Sequence, residues 1–282
     1  MVTHVAVPVV LALLSALLAA VGTVIRQQAT AHSGGIDRRW LIGAAVSVGA
    51  FVLQVAALVV GTVLLVQPLI VLSVPFELVV QARWTRRSPT RRQWLQGAAV
   101  TIGVAVFIVF ARPVPAVHGR QVWVIDVVLL AVLATVLVAY LAARRTTGHV
   151  SGLLFGTVAG SLFGIVAVQI NSLSEIFDGP LSLLRTPTFY FCVITAIGAI
   201  AAQQRAFRAG SLEASYPAMV ASEPIVAMVL SLVVLGEKLS SHALGTYISL
   251  LGVVVMIAGV IGLARSTAIA EEAVLRSPPP EK

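Results

Sequence analysis

The chain has 282 residues, of which 59% are hydrophobic and 11% are charged. Its net charge is +8 and its mean hydropathy is +1.00. Soluble domains carry about 25% charged residues, so this composition excludes an ordinary water-soluble domain and predicts a membrane protein. The basic residues lie in short loops between apolar runs, which argues against a nucleic-acid partner.

Nine apolar segments are each long enough to cross a bilayer as a helix, at about 20 residues per crossing. We expect them at residues 5–26, 41–60, 63–82, 95–111, 122–143, 150–170, 188–207, 211–235 and 242–264. Only Gly61 and Thr62 separate the second segment from the third. A tenth span would move the C-terminus to the other side of the membrane, so the loop charges can distinguish nine from ten.

The loop charges favour nine spans. With nine, 15 of the 19 lysines and arginines fall on one side of the membrane, and the other side holds Arg112, Arg120, Arg185 and Lys238. Positive residues concentrate on the cytoplasmic side of membrane proteins. We therefore predict a multi-pass protein of the cell membrane, with its N-terminus outside and its C-terminus in the cytoplasm.

The sequence contains an internal repeat at an offset of 149 residues. Residues 49–75 align with residues 198–224 without a gap, and nine of the 27 positions are identical. The identical pairs are Gly49/Gly198, Ala50/Ala199, Gln54/Gln203, Ala57/Ala206, Gly61/Gly210, Pro68/Pro217, Val71/Val220, Ser73/Ser222 and Pro75/Pro224. Gly103 and Gly252 continue the same offset. Coincident glycine, glutamine and paired proline in one register indicate a true repeat.

Corresponding helices of the two repeats are five crossings apart, an odd number, so the repeats have opposite orientations in the membrane. The predicted fold is an all-α polytopic membrane protein with two inverted four-helix repeats joined by a linking helix. Residues 1–112 form the first repeat, 113–149 contain the linking helix, 150–264 form the second repeat, and 265–282 form a disordered cytoplasmic tail. Inverted repeats are typical of secondary transporters, which bind substrate near the bilayer midplane.

Four prolines, at equivalent positions of the two repeats, interrupt the third and eighth predicted helices: Pro68, Pro75, Pro217 and Pro224. Each proline removes a backbone donor and frees a carbonyl one turn earlier. In a bilayer that carbonyl must be satisfied by protein or by water in a cavity. The prolines therefore predict kinked helices around a central polar space, although a role in packing alone stays open.

Polar residues within the apolar segments are the candidate binding groups. A carboxylate at the bilayer centre is costly and normally faces a cavity or a partner. Glu223 is the strongest candidate, for proton exchange or for binding a positive charge, and Glu77 lies nearer the cytoplasmic side, where snorkelling could also explain it. The further candidates are Gln54, Gln203, Tyr216 and Ser222. Glu237 is interpreted as a solvated or capping charge.

Three stretches of the sequence resemble a known transporter family. VLGEKLS (residues 234–240) and LGTYISLLGVVVMIAGV (244–260) resemble the EamA-type drug/metabolite transporter superfamily. AALVVGTVLLVQPLIVLSV (56–74) and the nine-span layout are similar to its NIPA-like magnesium transporter branch. The resemblance implies a helical bundle of inverted repeats that works by alternating access. Most EamA members have ten helices, and Glu77 and Glu223 depart from the magnesium branch.

The leading hypothesis is a secondary transporter for a small metabolite, a drug-like cation or a lipid-linked molecule, with Glu223 as the group that would couple transport to protons. The alternatives are a magnesium transporter and a non-transporting membrane scaffold. The sequence contains no nucleophile–base pair, phosphate loop or metal-ligand spacing, so we expect no enzyme activity, no catalytic or metal-binding residues and no cofactor. The expected partners are a small-molecule or ion substrate and the lipid bilayer, and a homodimer stays open as an assembly.

Overall fold

A computed structural model describes residues 2–33, 37–85, 88–114, 122–209 and 212–276. Within these ranges the chain forms eleven α-helices, one π-helical turn and one short two-stranded ribbon. The helices are α1 (Val2–Ser33), α2 (Arg38–Val60), α3 (Val63–Ile70), α4 (Ser73–Thr85), α5 (Arg91–Ala111), α6 (Val122–Ala143), α7 (Gly148–Glu175), α8 (Pro180–Arg185), α9 (Pro187–Ala209), α10 (Leu212–Leu230) and α11 (Ala243–Arg276). The π-helical turn is Ser231–Leu235, and strand β1 (Pro113–Val114) pairs antiparallel with β2 (Lys238–Leu239).

Seven helical segments are long and apolar enough to cross a membrane. They are Val5–Arg26, Arg38–Val60, Val63–Trp84, Arg91–Ala111, Val150–Glu175, Ser215–Leu235 and Ala243–Ser266. The prediction of an all-α polytopic membrane protein is thereby confirmed. The two other predicted spans coincide with the helices α6 and α9, and α9 exposes Ile194 and Ile197 over more than 60% of their surface.

Two features at the helix ends differ from the sequence-based expectations. Helix α11 continues to Arg276, whereas a disordered tail was predicted from residue 265. Its continuation has a local cause, because residues 268–275 are mostly alanine, glutamate, valine and leucine, which include strong helix formers. The short helix α8 was not predicted either, and it begins with Pro180 at a position where proline favours a helix start.

Successive long helices run in opposite directions, which gives the bundle two distinct ends. The Gly61 end carries the α2–α3 turn, the β1–β2 ribbon and the last residue of α7, Glu175. The Arg26 end carries Arg26, near the C-terminal end of α1, and the ends of the other long helices with described basic residues that include Arg38, Arg39, Arg83, Arg91, Arg92, Arg144 and Arg145. Among the described residues, basic side chains are thus more frequent at one end of the bundle, in the pattern that the positive-inside rule describes.

The two proline pairs have different effects on the helices that contain them. The span containing Pro68 and Pro75 is broken at Val71–Leu72, where α3 stops and α4 starts. At this break Val74 N–H donates to the Val71 carbonyl at 3.1 Å, because Pro75 has no N–H to offer it. Helix α10 contains both of its prolines without interruption and departs from α-helical geometry only in the π-helical turn that follows. Of the two predicted kinks, only the one at Pro68 and Pro75 interrupts the α-helix, for the two residues Val71 and Leu72.

Glycines allow the central helices to pack with their backbones in contact. Gly156, Gly160 and Gly164 lie along the face of α7 that meets α10. A Cβ at Gly160 would collide with the Met219 carbonyl and the Ser222 hydroxyl. Such close approach by small residues is a main source of helix association in membranes, where burial of apolar surface gives little driving force.

We predict that Gly160→Ala destabilises the protein by about 1–3 kcal/mol, because the added methyl group meets a backbone carbonyl that cannot move aside cheaply. The measurement is the thermal unfolding midpoint of the purified protein in detergent. Gly49→Ala is the matched control, because a Cβ there would lie 3.8 Å from Leu18 Cδ2 and make ordinary contact. Equal midpoints for the two variants would contradict the assigned packing.

Candidate functional site

A cavity of about 230 Å³ lies among α2, α7, α9 and α10, halfway along the bundle. We call it the central cavity. Its polar lining consists of Gln54, Gln203 and Glu223, and its apolar lining includes Phe51, Phe163 and Met219. Three of the six predicted binding residues therefore meet in one place. The two glutamines occupy equivalent positions of the 149-residue offset and face the same space from α2 and α9.

Glu223 is half-buried in the wall of the central cavity, eight residues after the start of a span that runs from Ser215 to Leu235. At 1.5 Å per residue, this position is about 12 Å from one end of the span and 18 Å from the other. Among the described residues, no hydrogen bond or ion pair of its carboxylate is found. The Gln203 amide nearby donates only to a weak acceptor, Met219 Sδ, at 3.4 Å.

The lining suits a positively charged or neutral polar ligand better than an anion. Among the described residues, the cavity wall contains one carboxylate and two amides but no lysine or arginine. The rings of Phe51 and Phe163 add aromatic surface, which attracts cations electrostatically. An ammonium group could therefore pair with Glu223 while its apolar substituents contact the rings.

Tyr216 and Glu77 lie outside the central cavity and contact each other. The Tyr216 hydroxyl donates to Glu77 Oε2 at 3.2 Å, which joins α10 to α4. Arg26 of α1 is close enough to act electrostatically on both groups. The structure thus groups two predicted site residues in a polar cluster towards the Arg26 end, more than one helical turn from Glu223.

Ser222 faces α7 and does not line the central cavity. Its hydroxyl is buried and lies 3.2 Å from the carbonyls of Thr157 and Met219. Its hydrogen bonds therefore serve the contact between α7 and α10. Sequence spacing could not reveal this, because Ser222 directly precedes Glu223 and neighbouring helical residues point about 100° apart.

Glu237 is buried and caps a helix far away in the sequence. Its two carboxylate oxygens accept hydrogen bonds from the N–H groups of Val63 at 2.7 Å and Leu64 at 2.8 Å, at the start of α3. The interpretation as a solvated or capping charge is correct only as far as capping is concerned, and the helix that Glu237 caps was not predicted. Two N–H groups without an intrahelical partner are satisfied in this way, and the negative charge suits the positive end of the helix dipole.

A second cavity, of about 410 Å³, lies beside this cap at the Gly61 end, and we call it the end cavity. Its polar lining includes Thr62, Asn171, Glu175 and Glu237. Burial raises the pKa of the Glu237 carboxyl, and the nearby Glu175 charge raises it further, while the hydrogen bonds from Leu64, Val63 and Ser231 oppose these effects. Glu237 therefore protonates at a higher pH than it would without this burial.

Asn171 fixes the turn between α2 and α3 from the side of α7. Its Nδ2 donates to the carbonyls of Leu58 at 2.8 Å and Gly61 at 3.0 Å, which α2 leaves unpaired at its C-terminal end. Sequence reasoning missed this role, because the partners lie more than 100 residues away and no local motif marks them. Within the described ranges, no group of three or more His, Cys, Asp or Glu side chains is arranged to hold a metal ion.

The helices and their apolar surfaces define the chain as a multi-pass helical membrane protein. It is 33% identical over 276 residues to an uncharacterized protein of Corynebacterium glutamicum, with 92% of this chain and 95% of that protein aligned. The chain belongs to the family of this corynebacterial protein. No protein-family model matches the sequence, and no solved structure matches it.

We predict that Asn171→Leu lowers the free energy of unfolding by about 1–3 kcal/mol, because two carbonyls at the end of α2 lose their donor. Thermal unfolding in detergent measures the change. Gln169→Met on the same helix is the control, since the buried Gln169 Oε1 has no partner among the described residues. Replacing it should leave stability unchanged or raise it. A larger loss for Gln169→Met would contradict this account.

Proposed function

We propose that the protein is a secondary transporter that binds a small organic cation in the central cavity. The observation that carries the proposal is the convergence of Glu223, Gln54 and Gln203 on one cavity halfway along the bundle. A carboxylate in that position is costly in a bilayer and is normally retained for a ligand or a proton. The phenylalanine rings beside it suit the apolar part of an organic cation.

The proposal includes nine spans arranged as two inverted repeats, with α6 as the linking helix. Helix α6 is supported as a span by its contacts, because Tyr140 near its end packs against Phe155 of α7 and beneath Arg205 of α9. The repeat is supported by Gly103 and Gly252, which occupy equivalent positions and touch each other where α5 crosses α11. The interruption between α3 and α4, within one span of the bundle, also fits the transporters built in this way.

In the proposed orientation the Gly61 end faces the outside and the Arg26 end faces the cytoplasm, as the distribution of basic residues favours. The proposal also retains the resemblance to EamA-type drug/metabolite transporters. Substrate would reach Glu223 from one end at a time. Because a bound cation and a proton both neutralise Glu223, the two can compete for the same carboxylate, and this competition would couple their movements.

Magnesium transport is the alternative substrate assignment, and the arrangement of carboxylates gives it little support. Mg²⁺ prefers an octahedral set of oxygen ligands and keeps several waters. Glu223 contributes one carboxylate to the central cavity, whereas Glu77 is engaged with Tyr216 towards the Arg26 end. A scaffold without transport activity would have no need of an unpaired carboxylate halfway across the membrane.

The test is uptake into liposomes that contain the purified protein. Tetramethylammonium, larger quaternary ammonium ions and a series of primary amines are supplied outside the liposomes. Uptake of Mg²⁺ is tested separately, and internal pH is recorded throughout. We expect saturable uptake of at least one amine. Glu223→Gln should reduce it about 30-fold or more, because removing one partner of a desolvated charge pair costs about 2–5 kcal/mol.

Asp178→Asn is the matched control, because Asp178 is exposed in the connection after α7 and does not line the central cavity. It should transport at the wild-type rate. Magnesium uptake that disappears in Glu223→Gln would show that the substrate is Mg²⁺ and not an organic cation. A folded wild-type protein that moves none of these solutes and no protons would favour the scaffold.

A further inference from the structure

The same two helical spans are joined by polar contacts at both of their ends. At the Gly61 end, Glu237 binds the first N–H groups of α3, and we call this contact the Glu237 latch. At the other end, Tyr216 of α10 donates to Glu77 of α4. The span formed by α3 and α4 and the span formed by α10 are the equivalent, proline-containing elements of the two repeats. Each contact therefore connects one repeat to the other.

The Glu237 latch can be reached from the end of the bundle, because Glu237 lines the end cavity. Leu65, in the first turn of α3, lines the same cavity and is only 6% exposed. The π-helical turn ends at Leu235, and Gly236 follows it in the left-handed conformation, so the segment directly before Glu237 departs from regular α-helix. Such π-helical turns often occur at functional sites.

The charges around Glu237 favour its protonation. Glu175 of α7 faces it with a like charge, and the Ser231 hydroxyl of the π-helical turn is close by. Of the residues that the structure describes, the positive side chains at this end are Arg112, Arg185 and Lys238, and all three are exposed to the surroundings. From α3, the groups that face Glu237 are backbone N–H groups. Burial and Glu175 together raise the pKa of the Glu237 carboxyl above its ordinary value.

We infer that the Glu237 latch is the gate of the Gly61 end, and that a proton arriving through the end cavity opens it. In the closed state both carboxylate oxygens accept an N–H hydrogen bond. When one oxygen takes up the proton, it becomes a hydroxyl donor, and one α3 N–H loses its charged acceptor. Charge-assisted hydrogen bonds are about twice as strong as neutral ones, so the link between α10 and α3 weakens and the end cavity extends inward.

This inference rests on the proposed function, in which the Gly61 end faces the outside and the two ends open in turn. The contact between Tyr216 and Glu77 is then the opposing gate. Acidification outside would favour the state in which the central cavity is reached from outside. Glu237 and Glu223 would have separate roles: the first controls access, and the second binds the cation.

The test measures access to the end cavity without any transport. The native Cys192 is replaced by serine, Leu65→Cys is introduced, and a membrane-impermeant maleimide is added outside at pH 5 to 8. Rates are divided by those of Asp178→Cys at the same pH, which corrects for the thiolate fraction. We expect the normalised rate to rise about tenfold or more on acidification, the change that loss of one charge-assisted hydrogen bond produces.

Two variants decide whether Glu237 is responsible. Glu237→Gln resembles the protonated side chain, so labelling of Leu65→Cys should be fast at every pH. Glu175→Gln leaves the latch intact but removes the like charge, so the midpoint of the pH profile should move to lower pH. Slow labelling of Glu237→Gln, or an unchanged midpoint in Glu175→Gln, would overturn the inference.

A third variant separates this inference from the proposed transport function. Tyr216→Phe removes the donor at the opposite end, and in a protein whose ends open in turn it should lower the labelling of Leu65→Cys at every pH. If it has no such effect while Glu237→Gln behaves as expected, the proton gate stands and the proposed alternation of the two ends fails.

Discussion

The interior of a bilayer offers no hydrogen bonds to a polypeptide backbone, and this constraint explains how the chain is arranged where α2 ends, where α3 starts and where α3 gives way to α4. The start of α3 is satisfied by Glu237, and the end of α2 is satisfied by Asn171. At the interruption between α3 and α4, backbone N–H groups donate to carbonyls three residues earlier instead of four. The side chains that satisfy the ends of α2 and α3 belong to α7 and to the segment after α10. They therefore connect the first half of the chain to the second.

The sequence predicted the features that local composition and self-similarity encode. Apolar runs located the helices, and the repeat drew attention to Gln54 and Gln203, which do share a cavity with Glu223. The roles of Glu237 and Asn171 could not be derived in that way, because each depends on backbone groups more than 100 residues distant. Tertiary hydrogen bonds of this kind leave no periodic signal in the sequence.

The direction in which each helical side chain points was the second feature that the sequence did not predict. A residue that directly precedes a cavity-lining residue on a helix faces elsewhere, so Ser222 serves packing while Glu223 lines the cavity. Tyr216 shares a helix with Glu223 but is engaged with Glu77. Among the described residues, Glu223 lines the central cavity without a hydrogen-bond or ion-pair partner, Glu77 lies near Arg26, and Glu237 caps the start of α3. One residue type therefore occupies three different environments.

The crossing of α5 and α11 has a consequence for how this protein can change over evolutionary time. A side-chain carbon at Gly103 would meet the Gly252 carbonyl at 2.6 Å, and one at Gly252 would meet the Gly103 carbonyl at 2.9 Å. Neither position can accept a larger residue while the other helix stays where it is. A substitution that enlarges either glycine would therefore require α5 and α11 to move apart, so the two positions are constrained together.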